Sequence, residues 1–455
     1  MKVFLLAGEA SGDRLGANLM RGLRHLAPDV RFRGIAGPEM QSEGLDSLFY
    51  MSELSVMGLA EVLPKYFALK RRLDQTVAEV LAWKPDILIT IDSPDFSLRV
   101  ARAVRAADPK IRTCHYVAPS VWAWRAGRAK KMAGFIDHVL ALLPFEPPYM
   151  EAEGMACDFV GHPVAAQAPI TSKQIAKFQA DYALDPARES LVILPGSRPS
   201  EIKRLLPVFC QVLSEPCFAN FQLIFPTLPH LEPLLREALE GLPQETVLVT
   251  GSGLSAAAAA EERLVAYGAA KAALAASGTV SLELAAAGTP MVIAYDMGLI
   301  SRLIIGAMLQ IDTVTLVNLV SETRVVPEFI GARCQPDLIA PALEALLADP
   351  SGQTQAMQVT MQRLGQGGDA PGLRAARSVL VLVAVMRVFE VRRLAYQLRE
   401  HDLSLRSGVI SHRVESLPFS RVQHVNIHRG PIERSLGLAT LQVSTAGPDI
   451  SIPGL

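Results

Sequence analysis

Several polar turns in this chain follow apolar runs and carry residue types suited to one half of a group transfer. Ala272–Ala275 leads into Ser277, Gly278 and Thr279 and then into the run Val280–Ala287. A strand, a small polar turn and a helix in that order present backbone N–H groups and the positive end of a helix dipole, which suits a phosphate. Glu283, one turn into that helix, is spaced to take a ribose hydroxyl pair. Equally, Ser277 or Thr279 can serve simply as the helix cap. Pro195-Gly196-Ser197-Arg198 follows Ser190–Leu194, and an arginine at such a turn is placed to neutralise a diphosphate bidentately. Asp86–Ile91 runs into Asp92-Ser93-Pro94, which puts a carboxylate at the carboxyl end of a strand, where ligands bind in parallel sheets. Asp92 is therefore the candidate general base, with helix capping by Asp92 or Ser93 as the alternative. Asn318, inside the apolar run Leu316–Val320, needs a partner, and a ligand hydroxyl or phosphate is one option. Pro119–Arg125 holds Trp122 and Trp124 beside Arg125; such a loop suits a sugar or an acyl chain, or plugs a core.

These residues need a scaffold, and the hydrophobic pattern supplies one. Lys2–Ala7 reads as a buried strand, followed by the turn Gly8–Asp13 and a helix over Leu15–Leu26, capped by Ser11 or Asp13. Phe32–Ala36, Thr113–Val117 and Val139–Leu143 read as further strands. Phe159–Val164 closes this half at a hinge, with His162 as a hinge hydrogen-bonder. The pattern restarts at Ser190–Leu194 and continues through Phe221–Phe225, Thr246–Val249 and Met291–Tyr295 to a helix from Pro336 to near Asp349. The expectation is an α/β chain with two doubly wound halves. Its 455 residues exceed one ordinary domain. A formal net charge of -1 gives no global attraction to nucleic acid, so any basic site is local. Five cysteines without CxxC pairing point to a reduced compartment without structural zinc. No metal triplet, zinc helix motif or P-loop occurs, so neither a metal nor a cofactor is expected. The N-terminus reads as a first strand and not a signal peptide, and no stretch reaches the ~20 apolar residues of a spanning helix.

Ser55–Arg72 differs in character. Val56, Met57, Leu59, Leu63 and Phe67 precede Lys70, Arg71 and Arg72, with Lys65 between them. A basic, amphipathic segment of this kind lies on an anionic membrane surface, or packs on the sheet with a solvated basic end.

Taken together, AGEASGD (Ala7–Asp13), AGPEMQSEG (Ala36–Gly44), VMGLAEVL (Val56–Leu63), IDSPDF (Ile91–Phe96), HYVAPSVWAWR (His115–Arg125), LPFE (Leu143–Glu146), FVGHPV (Phe159–Val164), LPGSR (Leu194–Arg198), ASGTVSLE (Ala276–Glu283) and VNL (Val317–Leu319) resemble the lipid-A-disaccharide synthases, GT-B glycosyltransferases. The resemblance covers residues 1 to about 380. It implies two Rossmann-like domains, 1–165 for the acceptor and 166–369 for the UDP-sugar, with a crossover helix near 370–388. It implies transfer of 2,3-diacylglucosamine from UDP-2,3-diacylglucosamine to 2,3-diacylglucosamine 1-phosphate (lipid X), with inversion and without metal. Asp92 would be the base, and Arg198 and Asn318 would serve the donor phosphates or catalysis. Substrate contacts would come from Glu9, Ser11, Asp13, Ser120, Trp122, Trp124, Arg125, Gly196, Ser197, Ser277, Gly278, Thr279 and Glu283. Val56, Met57, Leu59, Leu63, Phe67, Lys70 and Arg71 would face the cytoplasmic side of an anionic inner membrane. Homo-oligomerisation is left open.

The tail departs from that pattern. Residues 389–455 read as short strands resembling part of a bacterial PH-like domain, ending before the closing helix of such domains. Arg392–Leu455 carries eight arginines against five acidic residues, a net +3 with histidines neutral. Two other readings remain at this point: a UDP-sugar epimerase on the same fold, which the basic apolar segment at 55–72 opposes, and an inert lipid-binding protein, which the intact Asp92, Arg198 and Asn318 oppose.

Overall fold

The computed structural model describes residues 1–54, 59–123, 127–298 and 311–392, and in the tail 395–398, 402–407, 413–418, 422–428, 440–445 and 450–452. Its contacts group into two units. The first is Met1–Val117, Phe135–Leu140 and Gly372–Leu455, and the second is Ala118–Gly134 and Ala141–Pro371.

One six-stranded sheet contains β1 (Lys2–Ala7), β2 (Arg31–Ile35), β3 (Ile87–Ile91), β4 (Arg112–Tyr116), β5 (His138–Ala141) and β6 (Ala156–Phe159), in the order β2-β1-β3-β4-β5-β6. Pairing from β2 through β5 is parallel. Val3–Ala7 and Ile87–Ile91 are apolar apart from Thr90 and wholly buried, as strands covered by helices on both faces must be. The first helix runs from Ala10 to Leu26, five residues earlier than its apolar pattern announces, with Glu9 at the cap position and no side-chain cap bond. Ser11 and Asp13 thus lie within the first turn, and neither caps this helix.

The second sheet contains β7 (Ser190–Leu194), β8 (Gln222–Pro226), β9 (Thr246–Val249), β10 (Ala272–Ala275), β11 (Met291–Tyr295) and β12 (Glu328–Ile330), in the order β12-β11-β10-β7-β8-β9, parallel throughout. Alternate residues feed two separate cores. Val192, Ala273, Ala275, Met291 and Ile293 join one cluster, and Leu191, Ile193, Ala272, Leu274 and Val292 join the other. A period of two across two apolar faces is the mark of a doubly wound sheet.

The chain returns to the first unit through the helix Pro371–Arg392. Gly22 and Gly372 let the backbones of this helix and Ala10–Leu26 touch. A Cβ on Gly22 would lie 2.6 Å from the Gly372 carbonyl, and one on Gly372 would lie 2.5 Å from that of Asn18. The buried Ser378 hydroxyl meets His138 Nε2 at 3.0 Å and fixes the helix against β5. Beyond it stand two antiparallel three-stranded sheets: β13 (Ala395–Leu398), β14 (Asp402–Ser407) and β15 (Arg413–Pro418), then β16 (Val422–His428), β17 (Thr440–Thr445) and β18 (Ile450–Ile452). The strand expected over Gly430–Arg434 lies outside the described residues. Among the described residues no helix is long and apolar enough to cross a membrane.

Candidate active site

Each sheet reverses its strand order once, and ligands of doubly wound sheets bind outside the carboxyl ends of the strands at that reversal. In the first sheet it falls between β1 and β3, in the second between β7 and β10.

At the first reversal, the turn after β3 is strained. Asp92 and Ser93 both have positive φ, +51° and +44°, a conformation costing non-glycine residues on the order of 1–3 kcal/mol each. The surroundings hold it. The Asp92 amide donates to the Tyr116 carbonyl at 2.9 Å, and the Ser93 amide donates to Asp92 Oδ1 at 2.8 Å. The Ser93 carbonyl accepts from the Phe96 and Ser97 amides, opening the helix Pro94–Ala107. Ser93 stands at the cap position without a side-chain cap bond, and its Oγ is buried and unbonded. That hydroxyl lies against Gly8 at the end of β1, where an added Cβ would come within 2.6 Å of it. The half-buried Asp92 carboxylate is thereby aimed from the strand end by backbone geometry. Asp13 does something else. It is 2% exposed and accepts from the amides of Gly37, Glu39 and Met40 at 2.9, 2.8 and 3.1 Å, filling the orphan donors of the helix Pro38–Ser42. Glu9 is half-buried and Ser11 exposed.

At the second reversal, the turns after β7 and β10 lie on neighbouring strand ends. Gly196, at φ +119°, passes close over Glu201, whose Cβ would be 2.6 Å from a Cβ on the glycine. Glu201 accepts from the Ser197 amide at 3.0 Å, Arg198 Nη1 at 3.1 Å and the Tyr295 hydroxyl at 3.2 Å. Ser277 is half-buried and Gly278 and Thr279 exposed, with open space where a Gly278 side chain would stand. Thr279 holds the cap position of the helix Val280–Ala287 without a side-chain bond, so this turn is not closed by its own side chains. Glu283 is half-buried and accepts from Tyr267 Oη at 3.4 Å; burial and then the Glu283 charge push that phenol far up, keeping it a donor.

Asn318 finds its partners inside the chain. At 1% exposure its Nδ2 donates to the Val326 carbonyl at 2.9 Å and Thr313 Oγ1 at 3.2 Å, and its Oδ1 accepts from the Val326 amide at 3.0 Å. Glu328, which also accepts from the Thr315 amide at 2.7 Å, closes the same network.

Of the tryptophan loop, Trp124 and Arg125 lie outside the described residues, and Ser120 is exposed. Trp122 is a core residue, 8% exposed and edge-on to Phe145 with centroids 5.1 Å apart. Its indole donates to Glu146 at 3.3 Å, while the other carboxylate oxygen accepts from the Leu142 and Leu143 amides. Burial raises the Glu146 carboxyl from 4.5 to about 7 and, together with Glu146, Asp158 and Glu151, raises the Cys157 thiol to about 12. Because folded Glu146 holds its proton more tightly than the unfolded chain, its contribution favours folding at low pH. That contribution is lost as pH rises from about 4.5 to about 7, a change on the order of 3 kcal/mol. Glu146→Gln should flatten this part of the stability profile, read by denaturant unfolding at pH 5 and pH 8. Equal pH dependence in both proteins would contradict the assignment. Burial lowers His162 to about 4, and its Nδ1 accepts from the Val164 amide at 3.2 Å, the bond of a neutral imidazole.

On the basic segment, Val56 and Met57 and the side chains of Leu59, Leu63 and Lys65 fall outside the described residues. Within the helix Leu59–Trp83, Phe67 is 81% exposed, packed edge-on against the exposed Tyr66, with Lys70 and Arg71 exposed nearby. Arg72 is not part of this face. Its guanidinium pairs with Glu53 and lies over the Phe49 ring.

Two doubly wound sheets, each with polar turns at its reversal, define the GT-B class, in which UDP-sugar epimerases and glycosyltransferases share one scaffold. Solved structures agree in fold alone. A putative UDP-N-acetylglucosamine 2-epimerase from Listeria monocytogenes superimposes with TM-score 0.55 at 13% identity, over 85% of this chain and 97% of its own. A glycosyltransferase from Rickettsia africae gives 0.53 at 11%, over 85% and 98%. Sequence separates the two. The chain belongs to the lipid-A-disaccharide synthase family: the profile described as lipid-A-disaccharide synthetase matches residues 3–379. The synthase of Ruegeria pomeroyi is 59% identical over 382 residues, 84% of this chain and 95% of that one, and the synthase of Rhodospirillum centenum is 42% identical over 84% and 94%. A bacterial PH domain profile matches residues 359–455.

Proposed function

We propose that the protein transfers 2,3-diacylglucosamine from UDP-2,3-diacylglucosamine to lipid X, giving the β-1,6 disaccharide 1-phosphate and UDP. The observation that carries the reading is that the synthase match spans the turns at both reversals, Gly8 with Asp92 and Ser197 with Ser277. Asp92 takes the proton of the acceptor 6-hydroxyl. The freed oxygen bonds to the anomeric carbon as the bond to UDP breaks on the opposite face, which inverts the centre. UDP departs with its charge met by Arg198 and the turn Ser277–Thr279, so no acid is required. Glu283 is assigned to the donor ribose. Glu9 and Ser11 are assigned to the acceptor side, with Asp13 shaping that turn from within. Asn318 braces the segment 313–328 instead of reaching a ligand. Residues 1–165 serve the acceptor and 166–369 the donor. The test is UDP release by purified protein given both acylated sugars. Release that requires the acceptor supports the synthase, whereas conversion of UDP-N-acetylglucosamine without acceptor would make it an epimerase.

Both substrates carry acyl chains, so the enzyme works peripherally on the cytoplasmic face of the inner membrane. We assign the contact to the face of Tyr66, Phe67, Lys70 and Arg71, since inserted aromatic rings add to the ~1 kcal/mol of each cation near an anionic surface. Replacing Tyr66 and Phe67 with Ser should release the protein from anionic liposomes without lowering its melting temperature, and deleting Arg392–Leu455 should leave binding largely intact. The reverse pattern would make the +3 tail the anchor.

A further inference from the structure

We propose that Glu201 is a positioning residue of the diphosphate subsite, holding the turn by its bond from the Ser197 amide and aiming the Arg198 guanidinium with the same carboxylate. The proposal rests on the donor-site reading given above. A carboxylate amid donors meant for an anion looks misplaced, since its charge opposes a phosphate. Its bonds explain it. Glu201 is the third residue of the helix Pro199–Leu213, where a glutamate ordinarily reaches back to the amide of the cap residue. Here the cap residue is Arg198, yet the carboxylate passes over it to the Ser197 amide at 3.0 Å. The other oxygen takes Arg198 Nη1 at 3.1 Å and the Tyr295 hydroxyl at 3.2 Å. Tyr295 ends β11, two strands from β7, so the bond bridges past the end of β10 and ties the arginine turn to the far side of the reversal. Gly196 allows this approach, because a Cβ there would lie 2.7 Å from the Glu201 carboxylate. The glutamate side chain is 15% exposed and the arginine 57%, so the half-buried anion is the anchor and the exposed cation the group it directs.

Two opposite results are possible on removing Glu201. If it only competes for Arg198, its loss tightens UDP binding. If it aims the arginine, its loss weakens binding, and only while Arg198 is present. Calorimetric UDP titration of Glu201→Ala, Arg198→Ala and the double variant distinguishes these outcomes. We expect Glu201→Ala to weaken UDP roughly 10-fold and the double variant to bind within about 2-fold of Arg198→Ala alone, the non-additivity of coupled neighbours. Glu201→Gln keeps the shape and one acceptor oxygen, so it should lose less, and it stands in if the alanine variant does not fold. Steady-state kinetics should show a loss of kcat/KM for the donor with the acceptor KM little changed. Unchanged or tighter UDP binding in both Glu201 variants, or losses that add to that of Arg198→Ala, would overturn the proposal. An Arg198→Ala variant that binds UDP normally would overturn the donor-site reading itself.

Discussion

Turnover of the Asp92→Asn variant should fall by about two to four orders of magnitude, the usual worth of a positioned base, with UDP affinity unchanged. Asparagine isolates the proton transfer better than other replacements here. The wild-type carboxylate accepts from the Ser93 amide, and an asparagine oxygen can accept the same bond, so the strained turn is retained while the base is lost. The measurement is turnover with both acylated sugars beside a UDP titration. Turnover within a factor of a few of wild type would remove Asp92 from the mechanism.

The second large effect is expected at the donor site. Arg198→Ala should weaken UDP binding by roughly 1.5–3 kcal/mol, the range for hydrogen bonds to charged groups. The lower part of the range is the better expectation, because the guanidinium is 57% exposed and its charge is screened. Arg198→Lys should recover only part of the loss, since an ammonium cannot make the planar, two-point contact. Unchanged affinity in the alanine variant would mean that Arg198 serves contacts within the protein instead.

How much of this was legible in the sequence depended on distance along the chain. Strands built from apolar runs, such as Ser190–Leu194 and Ala272–Ala275, fall where the pattern puts them, because burial on both faces leaves little else for such runs to be. The chemical turns were legible for the same reason, each following directly on a strand. Partners were not. Asp13 reads as a local cap, but its amides come from residues 24 to 27 positions on, brought near only when β2 pairs with β1. Asn318 reads as an amide in want of a ligand, yet Val326 returns to satisfy it. Trp122 reads equally as sugar platform or plug, and a glutamate 24 residues away decides for the plug. The role of Glu201 is not legible from its place in the first helical turn, since nothing local announces Tyr295, 94 residues later.

The contact between Gly8 and Ser93 carries a consequence for how this enzyme can change over time. Residues 85 positions apart share a space too small for both to bear a side chain, so the two sites form one heritable unit. A side chain gained at position 8 is tolerable only where position 93 has already become glycine, which also relieves the left-handed strain there. The order of the two steps is thereby fixed. Substitution at 93 first passes through a working intermediate, while substitution at 8 first drives a Cβ into the serine and displaces the neighbouring Asp92. Libraries that randomise the two positions together should recover active pairs that single-site scans reject.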